Sequence, residues 1–187
     1  MSCRGTFGFT FKNELKAMYL HDSHPLTVGE SIVAILERYN LEELRAYFER
    51  VVMVNEIEKP SYSAIKEHKN LIGVIAKERA TKLGLDNFMT KIYVESYTSP
   101  KNEKRMEEEW YWLMRIFQDA PDSLVKYNIE YMCELGDNGS PEYEYLIDLE
   151  KGSLVFSEEG VPKRIFYIED IKQRGAKEIT QEMVEEI

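Results

Sequence analysis

The chain of 187 residues carries 34 acidic against 24 basic side chains, a net charge of −10, with 43% apolar and 12% aromatic residues. That length suits one domain, 1–187, with a sizeable core, and the apolar content excludes a disordered acidic chain. The charge opposes non-specific binding to nucleic-acid phosphates or anionic lipid, so no direct nucleic-acid or membrane contact is expected, and basic or nucleic-acid-binding protein partners are favoured.

No apolar run approaches the ~20 residues of a membrane span, and the first residues lack the basic-then-apolar order of a signal peptide. Cys3 and Cys133 are too few for a disulfide scaffold and lack metal-finger spacing. A cytoplasmic protein with free thiols is the expectation.

In chain order, "GTFGFTF" at 5–11 alternates Phe7, Phe9 and Phe11 on one face, and "LKAMYLH" at 15–21 follows as a second extended segment, so the two read as a β-hairpin. "PLTVGE" opens a helix with Thr27 as N-cap and Glu30 three residues on. Asn40 and Glu43 repeat that signature, which predicts two tandem helices across 28–54. After Pro60 a helix extends to a stop at Gly84, with His68 on a polar, solvated part.

Residues 88–97, "FMTKIYVESY", read as a strand from their β-branched and aromatic content. "NEKRMEEEWYWLMRIFQ" at 102–118 reads as one helix with Met106, Trp110, Leu113, Met114 and Phe117 on its apolar face. Asp122 opens a short capped helical turn. "EYEYLIDLEKGSLVFSEE" is a hairpin turning at Gly152, "KRIFYIED" a further strand, and "ITQEMVEEI" a short amphipathic helix. Strands at both ends with helices between them imply a single α+β domain, its antiparallel sheet built from the two hairpins around a mostly helical middle.

"RGTFGF", "HDSHP", "WYWLMR…Q" and "YEYLIDLEKGSLVF" together resemble a family of small bacteriophage and bacterial proteins. Members of that family share an Arg-Gly start with a Gly-Phe strand, a His-x-Asp-Ser-Tyr-Pro motif, a Trp-Tyr helix and a Tyr-x-Tyr-x-Ile-Asp-Leu strand. Here His21 directly precedes Asp22, His24 stands where the family has tyrosine, and residues 55–100 carry no resemblance. The likeness implies a phage-like origin, hence a host-cell cytoplasm, and brings no activity with it.

A two-residue turn at Lys12-Asn13 places Arg4 opposite His21 and Cys3 opposite Asp22, whereas a three-residue turn moves each partner by one. Either register brings Ser2, Cys3 and Arg4 beside His21, Asp22, Ser23 and His24. That layout resembles an N-terminal-nucleophile amide hydrolase, in which Ser2 or Cys3 attacks and Arg4, His21 and Asp22 assist. The chain is short for the two sheets of such enzymes. A metal site from His21, Asp22, His24 and a remote carboxylate conflicts with strand neighbours pointing to opposite faces. A purely structural role, with Arg4 pairing Asp22 and Pro25 ending the strand, needs no chemistry.

"GDNGSPE" lacks the ligand order of a calcium loop and reads as a turn. No P-loop, dinucleotide fingerprint, nucleophile elbow or zinc-helix motif occurs, so no cofactor is expected. The leading expectation is therefore a non-catalytic protein that binds and modulates or inhibits a host protein, such as a defence component. Its predicted contacts are Tyr111 and Trp112 on the aromatic helix, with Arg4, His21, Asp22 and His24. A third expectation is a sponge for a nucleotide signal, with Arg4, Lys163 and Arg164 meeting phosphate.

Overall fold

The computed structural model describes residues 3–134 and 140–185. Strands β1 (Gly5–Phe11) and β2 (Glu14–Leu20) form the N-terminal hairpin with Phe11 opposite Glu14, the register of a two-residue turn. Lys12 and Asn13 both have positive φ, 51° and 64°, the geometry of a tight hairpin whose twist matches its strands. Strands β5 (Tyr143–Asp148), β6 (Ser153–Glu158) and β7 (Val161–Tyr167) form an antiparallel meander, and Gly152 supplies the left-handed turn residue at φ 65°.

The five strands lie in the order β2-β1-β5-β6-β7. The chain's two ends thus meet in one sheet, as the sequence pattern implies, but β1 and β5 run parallel. The expectation of a purely antiparallel sheet is corrected to a mixed one. The physical reason is the connection: more than a hundred residues of helical chain separate β2 from β5, and a crossover of that length permits a parallel pairing that a hairpin loop cannot.

A π-helical turn, Pro25–Gly29, leads into α1 (Glu30–Arg38), and α2 (Leu41–Arg50) follows behind the expected Asn40–Glu43 capping box. The cap of the first of these is His24, whose Nδ1 accepts from the Leu26 amide at 3.3 Å. Thr27, expected to cap, instead donates its hydroxyl to the His24 carbonyl at 2.9 Å. Short strands β3 (Val52–Val54) and β4 (Tyr131–Cys133) pair in parallel as a separate ribbon that the sequence reading does not contain.

The long helix α3 (Tyr62–Lys82) ends ahead of Gly84, at φ 68°. Residues 87–98 form α4 (Asn87–Thr98), not a strand, because Asp86 caps the segment through the Met89 amide and its half-buried ring Tyr93 and buried ring Tyr97 recur at i, i+4. The predicted helix over 102–118 is two, α5 (Pro100–Met106) and α6 (Trp110–Asp119), broken at three consecutive glutamates. The first amides of α6 are satisfied from outside, Trp110 N by the Glu58 carbonyl and Tyr111 N by that of Glu56, each at 2.9 Å. Helix α7 (Asp122–Lys126) follows, and α8 (Ile168–Arg174) and α9 (Ala176–Glu185) close the chain.

The core lies between the helices and the sheet face made by Phe7, Phe9, Met18, Tyr145, Ile147, Leu154 and Phe156, all fully buried. Phe9 packs edge-on against Tyr47 and Phe11 against Phe48, which seats α2 on that face. Lys16, on the same face, caps the C-terminal end of α2 by donating to the Phe48 and Val51 carbonyls at 2.8 Å each. No described helix is long and apolar enough to cross a membrane.

Candidate functional site

The N-terminal juxtaposition is present. Strand pairing continues the two-residue-turn register as far as Gly5 opposite Leu20, and beyond it the chain slips by one, so that Ser23 rather than Asp22 meets Cys3. The Ser23 amide and hydroxyl both donate to the Cys3 carbonyl, at 2.9 and 3.0 Å. Ser23 is fully buried, and its own carbonyl accepts from the Tyr145 hydroxyl at 2.6 Å. Gly5 makes this approach possible: a Cβ there would lie 2.1 Å from that of Ser23.

The rest of "HDSHP" is occupied with local structure. Asp22 Oδ1 accepts from the His24 amide at 3.4 Å, His24 caps the π-turn, and the His24 ring lies edge-on to Tyr143. His21 Nε2 is hydrogen-bonded to the Tyr111 hydroxyl at 2.6 Å, and burial followed by the Arg115 charge holds its pKa below the ordinary value, which keeps the ring neutral.

Burial, and then the Glu142 carboxylate that accepts from it, raises the Cys3 pKa, so the thiol stays protonated. Such a thiol is unsuited to the nucleophilic role of the hydrolase reading; Ser2 lies outside the described residues. Cys133 is also a free thiol, pushed up to about 12 by burial. No group of three His, Cys, Asp or Glu among the described residues is placed to hold a metal ion. Most of the "GDNGSPE" turn, 136–139, is outside them as well.

The aromatic ridge is partly absorbed by the fold. Trp110 is buried against Tyr131, Tyr111 is held by His21, and Trp112 is half-buried beneath the guanidinium groups of Arg105 and Arg115, 4.3 and 5.4 Å from its ring. Lys163 and Arg164 stand on β7, three strand positions from Arg4, and pair with Glu158 and Glu182. The sheet therefore does not bring them to Arg4 as one phosphate site. His68 is not solvated: it is 1% exposed, edge-on to Tyr131, and neither ring nitrogen has a hydrogen-bond partner among the described residues.

Two carboxylates three residues apart have opposite electrostatics. Asp119 is pushed up to about 6 by burial, with Arg79 opposing and the Asp22 charge adding to the shift, and the Tyr97 hydroxyl donates to it. Asp122, expected as a cap, is instead a buried hub accepting from Lys82 Nζ at 2.6 Å, from Arg38 at 3.4 Å and from the Ser31 hydroxyl. Burial acts against its charge, but those donors outweigh it and hold the group below the ordinary carboxylate value.

One surface was missed by the motif search. On the sheet face turned away from the core, cross-strand partners align Ala17, Gly8, Leu146, Val155 and Ile165 in one row spanning all five strands. A parallel row sets Leu15, Thr10, Asp148, Ser153 and Tyr167 beside it. Leu15, Ile165 and Tyr167 are 52, 56 and 54% exposed, Leu146 and Val155 are half-buried, and Ala17 and Ser153 are buried. On the central strand Leu146 is bracketed by Glu144 and Asp148. The signal was available: "LVF" at 154–156 and "IFY" at 165–167 are apolar at successive positions, so both sheet faces carry apolar side chains. Comparison with protein-family models, with curated proteins and with solved structures finds no match to this chain.

Proposed function

We propose that the protein is a non-catalytic binding protein that docks a basic, aliphatic-faced segment of a partner protein on the outer face of its sheet. The observation that carries this reading is the apolar row Ala17–Gly8–Leu146–Val155–Ile165, flanked at its centre by the Glu144 carboxylate, with Asp148 on the other side held by Lys151. Four interstrand steps give the row a length of roughly 19 Å. A strip of that length two residues wide falls well short of the ~800 Å² per side of a standard interface. A polar, charged rim must supply the remainder, which describes a heteromeric contact better than an apolar homodimer core.

Charge decides between occupants. A second copy would bring another chain of net charge −10 and another Glu144 onto the same face, whereas lysines or arginines flanking an aliphatic stripe would pair with Glu144. Tyr111 and Trp112, engaged by His21 and two arginines, take a lesser part than the sequence pattern implies. That the partner is a host protein rests on the family resemblance, as does a role in countering host defence.

The test compares retention of one identified partner by the wild type, Val155→Asp, Ile165→Asp and Trp112→Ala. The reading expects salt-sensitive binding through a basic segment, lost in the two sheet-face variants and kept in Trp112→Ala. Wild-type dimerisation abolished by Ile165→Asp, or loss confined to Trp112→Ala, contradicts it.

A further inference from the structure

Away from that face, a cleft of about 330 Å³ opens between α1, the last turn of α3 and the start of α9. Its volume falls at the lower end of small-ligand pockets. Ser31, Ala34 and Arg38 reach it from one face of α1, at i, i+3 and i+7, and Arg79 and Lys82 from α3, at i and i+3. Three cationic side chains from two helices thus converge in a chain whose overall charge is strongly negative.

These cations are positioned rather than loose. Asp122, buried behind the cleft, holds Lys82 Nζ at 2.6 Å and Arg38 at 3.4 Å while leaving both side chains nearly half exposed. The carboxylate is thereby hidden, and the two heads it gathers stay at the edge of the cleft on side chains that remain solvent-accessible. Arg79 is 7% exposed; its guanidinium is hydrogen-bonded with Tyr93 and its charge acts on Asp119, while its Nε has no hydrogen-bond partner among the described residues. A buried donor left unsatisfied is costly, and an incoming acceptor that shifts the guanidinium would relieve it. Glu30 and Glu37, also on α1, line the same cleft, the latter accepting from the Ala176 amide at 2.7 Å. The walls are otherwise aliphatic, Leu26, Ala34 and Leu83, with no aromatic ring on which a nucleobase could stack.

We infer that this cleft binds a small phosphorylated metabolite. Its phosphate sits among Arg38, Arg79 and Lys82, and its far end carries a hydroxyl or amine that donates to Glu30. Charge-assisted hydrogen bonds supply the specificity. The site is separate from the sheet face and stands whether or not that face binds a protein.

Inorganic phosphate, pyrophosphate and phosphoethanolamine are titrated into the full chain by calorimetry, with amide NMR spectra recorded alongside. The expected result is saturable binding of at least phosphoethanolamine, with amide shifts confined to Thr27, Ala34, Leu83 and their neighbours. Arg38→Met and Lys82→Met should each weaken it by about tenfold or more, as the loss of one charge-assisted bond implies. Lys12→Met, distant from the cleft, leaves it unchanged. Since Arg79 is buried, Arg79→Lys is used in its place as a conservative variant and should weaken binding without unfolding. No saturation by any probe up to roughly 10 mM, a concentration that corresponds to negligible affinity, overturns the inference. So do shifts scattered over surface lysines, or binding insensitive to Arg38→Met and Lys82→Met.

Discussion

Asn in place of Asp122 is the perturbation whose size the structure fixes best. The carboxylate accepts from Lys82 at 2.6 Å, from Arg38 at 3.4 Å and from the buried Ser31 hydroxyl, and is itself almost wholly buried. Asp122→Asn preserves volume and leaves an oxygen for Ser31, so the loss is the charge. A hydrogen bond to a charged group is worth about 1.5–3 kcal/mol when buried. Lys82 and Arg38 are nearly half exposed and regain water when released, which lowers the sum to about 2 kcal/mol. For a chain of this size that is a melting shift of roughly 4–8 °C.

The sign of the pH dependence follows from the depressed folded pKa. The stabilisation is complete above the unfolded value, 3.8 for a free aspartate, and is lost as pH falls through the folded value below it. Urea unfolding of wild type and Asp122→Asn should therefore show a constant gap from neutral pH down to about pH 5 that closes only below about pH 4, at unchanged m. A gap under about 0.5 kcal/mol at neutral pH, or one that persists undiminished below pH 3, refutes the hub as described.

Asp119→Asn should act in the opposite sense. Because the folded pKa, about 6, lies above the unfolded 3.8, the native state binds the extra proton and the ionised form is penalised above pH 6. The variant should gain no more than about 3 kcal/mol at pH 8 and nothing at pH 4, read by paired urea titrations. His68→Leu removes a buried ring without hydrogen-bond partners whose folded pKa lies below 6.5, so the wild type should lose more stability than the variant, which keeps His21, as pH falls through 6.5. Equal pH profiles for the two proteins would show that His68 has a partner or reaches water. Gly5→Ala puts a Cβ 2.1 Å from the Ser23 Cβ and 2.6 Å from the Tyr143 carbonyl, and a loss of at least about 3 kcal/mol in thermal unfolding is expected.

Hydrophobic period made the two hairpins, the tandem helices and the tail helix legible, because each element owes its place to one apolar face. The "FMTKIYVESY" segment misled because β-branched content is a weak prior against a good cap at Asp86 and partner rings at i, i+4. The parallel β1–β5 pairing has no local signature at all, since it depends on where the helical middle returns the chain. The nearness of Cys3 to Ser23 followed from turn length, but the one-residue slip past Gly5 did not. His24 as a cap was hidden because an imidazole is an uncommon capping group. The outer apolar row and the Asp122 hub join residues far apart in the chain, Gly8 and Ile165 in the row, and only the sheet register and the helix packing reveal them.

The central claim is tested most directly by placing a photo-crosslinking side chain at position 155, 165 or 112 and sequencing what is captured on both sides of the link. The account predicts that positions 155 and 165 capture one partner through a segment with lysines or arginines flanking aliphatic residues, and that position 112 captures little. Capture from position 112 alone, links to a second copy of this chain, or links to an acidic segment would contradict it.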